Sequence, residues 1–525
     1  MINASANTGH EIGQGTQACR IMWHRTVAGA GKAQEMPSTP ARSDTQAFAI
    51  EQRGISLVED HSRHGRARDL FWMWFGTNIN VFQIVTGALV ASLGLSVAQA
   101  VVIMVLGNLA YLCVGVTSLQ GPKTGTSTFT ISRAAYGPNG GRVLAFFNWA
   151  TCVGFEASGI ALIALAELAI LAKAGVGGSD GVKIACLAFA ALVQVLVPLF
   201  GHATIMTINR WLSYLLVPLF VAVTILVAPK VHFSAQHGAG WGMLSVAFAL
   251  VAISGGLSWA NFGSDYSRYL PENTSPKAIF GWSSLGGFLP ALALNILGAL
   301  VGYTVASGSD PLSGVPSILP AGIAVPYLVL IMLTLFSVNS VDLYSSGLSL
   351  QTMGISLKRW QCVVIDIVLC VIIGAVTIFS AGFNHLYSDF LSLLIIWLSP
   401  WFAIYVTDWL LRRGVYDKAS IASTVGGLYW GRNGLRLPAA VAQVLGMAAA
   451  AMWIDSPAFL GPLSQATNGA DFSIFMGIGI AATAYALLSI PAMRTSRARA
   501  ADSADSVERP VVSGIAVTPL PEAEA

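Results

Sequence analysis

Residues 69–93 read DLFWMWFGTNINVFQIVTGALVASL. The stretch is long enough to span a bilayer, yet Gly76, Thr77, Asn78 and Asn80 interrupt it between two apolar halves. In hydrocarbon an unpaired amide or hydroxyl costs several kcal/mol, so such a cluster must face protein, water or a ligand. A helix broken near mid-membrane exposes carbonyls from one half and amides from the other, an arrangement with which secondary transporters hold ions and substrates. The same asparagines also suit plain hydrogen bonding to neighbouring helices.

The rest of the chain agrees with a membrane setting. Of 525 residues, 55% are hydrophobic and only 10% are charged, against about 25% charged in soluble domains. This excludes an ordinary soluble fold. The net charge of +3 gives no reason to expect a nucleic-acid partner. Five of the six cysteines lie in apolar stretches and none forms a CxxC pair, so they read as small core residues. No cleavable signal peptide is expected, because residues 1–60 lack an apolar run with small residues behind it.

Twelve apolar stretches of spanning length follow one another, near 70–94, 98–119, 142–172, 183–202, 208–229, 241–264, 278–305, 323–348, 360–382, 386–411, 437–455 and 471–492. The third exceeds what a bilayer needs, which implies tilt or projection. Between the second and third, SLQGPKTGTSTFTISRAAYGPNGG predicts a short interfacial segment ending at 138–141. Lys and Arg crowd into alternate loops, whereas the intervening loops hold only Lys173, Lys183 and Lys230. That asymmetry predicts twelve spans with both termini cytoplasmic, in the cell (plasma) membrane. Polar segments 1–68 and 496–525 read as disordered cytoplasmic tails around a transporter domain at 69–495. Asp265 and Arg268 read as a structural charge network at the cytoplasmic edge.

Span 6 carries Ser254, Gly255 and Gly256 at its middle, five helices after the interrupted span 1. Two interrupted spans in corresponding halves point to a binding site between them. Polar groups in other spans converge on the same region. Glu156 lies mid-span in span 3, beside Phe155, and an intramembrane carboxyl faces a cavity or a partner. It suits accepting ligand N–H groups, carrying a proton, or bonding neighbouring hydroxyls. Glu167, nearer the outer surface, reads as structural. In span 8, Thr334 and Ser337 share a helix face and Asn339 offers a donor and an acceptor to a planar ring. The two hydroxyls suit a small cation or bonds to their own helix. Asp342, one turn on, suits pairing or proton relay. Phe155 and Trp259 are candidates for stacking on a flat ligand, and equally for packing. There is no HExxH, no GxSxG and no His/carboxylate cluster, so no enzyme is indicated.

GISLVEDHSRHGRARDLFWMWFGTNIN, GSDYSRYLP after span 6, LYSSGLSL in span 8 and WLSPWFAIYVTDWLLRRG in span 10 resemble the nucleobase:cation symporter family of the first class, the cytosine, purine and allantoin permeases. The resemblance covers about residues 54–495. It implies an all-α polytopic protein of about twelve helices, a five-plus-five inverted repeat of the leucine-transporter type with helices 1 and 6 broken, plus two C-terminal helices. It implies a substrate site between spans 1, 3, 6 and 8 with Phe155, Gly159, Ser254, Gly255 and Asn339, to which the reading of the residues adds Asn80, Glu156 and Trp259. At the position of Gly159 relatives often carry Gln or Asn, so its absence leaves room beside Glu156. The resemblance also implies a sodium site at the carbonyls of Gly76 and Ile79 with Thr334 and Ser337. Val338 stands where sodium-coupled members have a hydroxyl, which favours proton coupling through Glu156 or Asp342. The expected partners are a nucleobase-like small molecule, a coupling cation (H+ or Na+) and the lipid bilayer, with no cofactor besides. The expected activity is import by alternating access. The alternatives are a permease for a ureide, a hydantoin or a pyridine- or thiamine-type vitamin, then a passive channel or a membrane enzyme.

Overall fold

The computed structural model describes residues 54–195, 202–230, 238–304, 315–317, 319–355, 359–379 and 383–507. Helix covers most of the described part of every predicted span. The helices are α1 (Ala67–Asn78), α2 (Val81–Ser92), α3 (Val97–Thr124), α4 (Thr128–Lys173), α5 (Asp180–Val195), α6 (His202–Val227), α7 (Trp241–Ala260), α8 (Pro276–Thr304), α9 (Ala321–Met353), α10 (Arg359–Phe379), α11 (Phe383–Leu411), α12 (Leu437–Trp453) and α13 (Ser473–Val507). Nine helices among the described residues are long and apolar enough to cross a membrane; the other predicted spans are the short pair α1 and α2, then α5 and α12. The molecule is a multi-pass membrane protein.

Span 1 is broken where the sequence places the polar cluster. Its halves meet at Ile79 and Asn80, and Asn80 is extended at φ −139°, ψ 165°. One side chain closes both ends. Asn80 Nδ2 donates to the Thr77 carbonyl at 2.7 Å, and its Oδ1 accepts from the Phe82 N–H at 2.9 Å. Groups that a helix end leaves unpaired are thereby satisfied without water.

Span 6 breaks less. In α7 the helix widens to a π-type turn over Ile253–Leu257 and leaves helical geometry at Gly255, with φ −112° and ψ −110°. Ser258 Oγ donates to the Gly255 carbonyl at 3.0 Å and Ser254 Oγ to the Val251 carbonyl at 3.3 Å, so hydroxyls occupy loosened carbonyls. A Cβ on Gly256 would collide with the backbone of Ala110 and Tyr111, so α3 and α7 touch main chain to main chain here. With no asparagine cap to separate two halves, the interruption stays a bulge.

α4 begins before its predicted start. The polar stretch after α3 is helical from Thr128 and bends at Gly137, where φ is +79° and Pro138 follows. A side chain at Gly137 would meet the Gly434 carbonyl, so this corner needs glycine. α9 packs along α4, α8 along both halves of span 1, and α13 against α11 and α12. This arrangement puts α4, α9 and the break in α1/α2 side by side.

The boundaries of the predicted tails shift. Residues 54–64 are pinned to the helix ends on one face: Arg268 Nη1 donates to the Gly54 carbonyl at 2.7 Å, Val58 N–H to Gly125 at 2.8 Å, and Arg63 Nη1 to Pro122 at 2.5 Å. α13 runs on to Val507. The predicted tail segments 1–53 and 508–525 lie outside the described residues.

Candidate substrate and coupling site

The polar cluster of span 1 is tied into the protein. Asn78 Nδ2 donates to Trp74 O at 2.9 Å and Thr77 Oγ1 to Met73 O at 2.9 Å. Tyr111 OH, from α3, donates to Asn78 Oδ1 at 2.5 Å. Gln83 Nε2 reaches the same hydroxyl at 3.3 Å, and Asn295 of α8 donates to Gln83 Oε1 at 2.8 Å. All five of these polar side chains are buried. Within this cluster, hydrogen bonding to neighbouring helices is the use the geometry shows. Asn80, predicted to touch substrate, spends both polar ends on the backbone of the break.

Phe155 and Trp259 sit on opposite sides of that break. Phe155 meets Phe82 of α2 edge-on at 6.2 Å and Phe390 of α11 at 5.0 Å. Trp259 meets Trp74 of α1 at 5.9 Å. Each ring therefore faces a different half of span 1. Phe82 in turn stacks on Tyr387, with centroids 5.4 Å apart and planes at 19°. Phe155 and Trp259 are only 8% and 6% exposed, so the centre is closed to solvent.

Asn339 of α9 meets the main chain of α4 at Glu156. Asn339 Nδ2 donates to the Glu156 carbonyl at 3.3 Å. The space that Gly159 leaves is filled: a Cβ there would lie 2.5 Å from Asn339 Oδ1. The room predicted beside Glu156 is therefore taken by the Asn339 carboxamide, because two helices with a glycine between them close to contact. Glu156 turns its carboxyl towards α10, where Cys370 Sγ approaches Oε2 at 3.6 Å. It does not face Ser254 or Gly255, whose polar groups bond within α7. Glu156 Oε1, Asn339 Oδ1 and both Asp342 carboxyl oxygens are buried with no hydrogen-bond partner among the described residues.

Asp366 of α10, absent from the predicted set, belongs to the same region. It accepts from Trp149 Nε1 at 2.8 Å and from Ser346 Oγ. Asp366 lies one turn before Cys370, the neighbour of Glu156, and its partner Ser346 lies one turn after Asp342 on α9. Three carboxyls from α4, α9 and α10 thus share one buried region. Among the described residues no group of three or more His, Cys, Asp or Glu is arranged to hold a metal ion.

The two hydroxyls predicted for sodium, on Thr334 and Ser337, are otherwise engaged. Thr334 Oγ1 donates to Ile331 O at 2.7 Å within its own helix. Ser337 Oγ donates to Asn209 Oδ1, and Asn209 Nδ2 donates to Thr77 Oγ1 at 3.0 Å. Gly76 packs directly on Asn209. Asn209 was not legible as a site residue, although a lone amide near the start of a 26-residue apolar helix signals a polar partner.

Comparison with known proteins adds to this geometry. The model of a family described as permeases for cytosine/purines, uracil, thiamine and allantoin matches residues 57–477. YxlA of Bacillus subtilis (strain 168), which carries the name of a purine-cytosine permease, is 28% identical over 465 residues, covering 85% of this chain and 97% of its own. The purine-cytosine permease fcyB of Emericella nidulans is 23% identical over 481 residues, covering 84% and 88%. Among solved structures, MHP1, a nucleobase-cation-symport-1 family transporter in a closed conformation with bromovinylhydantoin bound, superposes with a TM-score of 0.67 at 18% identity, covering 85% of this chain and 95% of that one. At that identity the likeness establishes the fold, a repeat of the leucine-transporter type with discontinuous helices.

Proposed function

The chain belongs to the family of permeases for cytosine/purines, uracil, thiamine and allantoin, and from that premise we propose that it imports a nucleobase or a closely related flat N-heterocycle with a co-transported cation. It is a transporter, not an enzyme. The proposed setting is the plasma membrane with both termini cytoplasmic, supported by the crowding of Lys and Arg into alternate loops.

One observation carries the substrate class. Glu156 Oε1 and Asn339 Oδ1 are buried acceptors with no hydrogen-bond partner among the described residues, on the facing helices α4 and α9, and α4 also carries Phe155. An unsatisfied buried acceptor costs about 1–3 kcal/mol. A planar base presents N–H donors along its edge and a π-face to stack, so it answers both deficits. The site is closed to solvent, so entry requires α4 and α9 to part from the span 1 break, as alternating access demands.

The proposed coupling cation is the proton. Glu156, Asp342 and Asp366 lie inside the membrane region with no Lys or Arg in ion-pair contact among the described residues. Ionisable groups so placed are the usual carriers of protons in transporters. The membrane potential adds about 2.3 kcal/mol per 100 mV for each charge moved inward.

Uptake of labelled cytosine, adenine and uracil by expressing cells tests the reading, with unlabelled allantoin, a hydantoin, thiamine and a pyridine vitamin as competitors. Saturable uptake of one base, abolished by an uncoupler, is expected. Competition only by the vitamins or ureides would move the substrate class. Uptake indifferent to the uncoupler would make it a passive pathway.

A further inference from the structure

A sodium ion between spans 1 and 8 would need several oxygen ligands turned towards one point. The side chains of span 8 do not offer them. The Thr334 hydroxyl donates into its own helix, Val338 supplies no oxygen side chain, and the Ser337 hydroxyl is directed to Asn209. Asn209 is 1% exposed and comes from α6, a helix outside the predicted site. Its carboxamide accepts from Ser337 of α9 and donates to Thr77 of α1 at 3.0 Å. Its body fills the groove at Gly76, where a Cβ would lie 2.7 Å from the Asn209 Cβ.

We propose that Asn209 replaces the ion: a tethered amide clasps span 1 to span 8, and the junction works without sodium. This rests on the reading of the chain as a coupled permease. The chemistry favours it. An ion at this junction would draw together oxygen atoms from the two helices, and the amide does the same with one donor and one acceptor. Its NH2 group presents the partial positive end of the amide dipole to Thr77 of span 1. Unlike an ion, the amide stays with the protein through the cycle. The junction then opens by exchanging hydrogen bonds, and the energy for accumulation enters elsewhere.

The test uses the purified full chain and N209D, which keeps the shape but exchanges the NH2 donor for an oxygen acceptor. Thermal unfolding is followed in sodium chloride and in choline chloride at equal ionic strength, and vesicle uptake is measured in the same two salts. For the unaltered protein, the same unfolding temperature and the same uptake are expected in both salts. For N209D, sodium should raise the unfolding temperature and stimulate uptake by about fivefold or more, the lower end of ordinary coupling between two sites. Saturable, sodium-specific stabilisation of the unaltered protein would overturn the proposal, as would a folded N209D that is blind to sodium. If N209D does not fold, N209S, which breaks the clasp and leaves an oxygen, is read in the same salts by the same criteria. Unfolding temperatures need no transported solute, so the sodium response at Asn209 is measured independently of which solute the protein carries.

Discussion

The Asn339 carboxamide occupies the space that Gly159 leaves on the facing helix, close enough that a methyl group at Gly159 would overlap it. Gly159→Ala must therefore push Asn339 aside, at a cost of about 1–3 kcal/mol for overpacking. If Asn339 reads the substrate, the variant should lose affinity and the double variant with Asn339→Ala should lose little more. Additive losses in competition binding would show that the two positions act independently.

Asn339→Ala alone removes a buried acceptor and should weaken substrate binding by about 1–3 kcal/mol. A competition curve unchanged from that of the unaltered protein would exclude Asn339 from the site.

Glu156→Gln keeps the shape and removes the titratable proton. Gradient-driven accumulation should fall to background while expression and substrate counterflow persist, because counterflow needs binding and movement but no net proton transfer. Near-normal accumulation would remove Glu156 from coupling.

Asn80→Ala removes the amide that closes both helix ends at the break. Loss of such a cap costs about 0.5–2 kcal/mol, so the unfolding temperature should drop measurably in detergent. An unchanged unfolding temperature would mean that water or neighbours satisfy the break equally well.

The fold was legible because hydropathy is a local property. Twelve apolar stretches, the crowded span 1 and the glycines of span 6 each announce themselves without knowledge of their neighbours. The use of the polar groups was not, because hydrogen-bond partners are a tertiary matter. Nothing in residues 69–93 says that Tyr111 will reach Asn78, or that Asn209 will lie between Thr77 and Ser337. Glu156 is recognisable in the chain as a buried intramembrane carboxyl, but the direction of its side chain depends on the rotation of α4 against α10, which no sequence pattern reports. Gly159 illustrates the same limit: a missing side chain reads as space until a neighbour is known to fill it.

The central claim is that this permease couples movement of a flat N-heterocycle to inward proton flow. The most direct measurement places the purified protein in sodium-free vesicles, imposes an acid-outside pH gradient and follows labelled cytosine, adenine and uracil. Accumulation of one of them above its external concentration, collapsed by a protonophore, is the predicted result. A base that only equilibrates across the membrane whatever the pH gradient would contradict it.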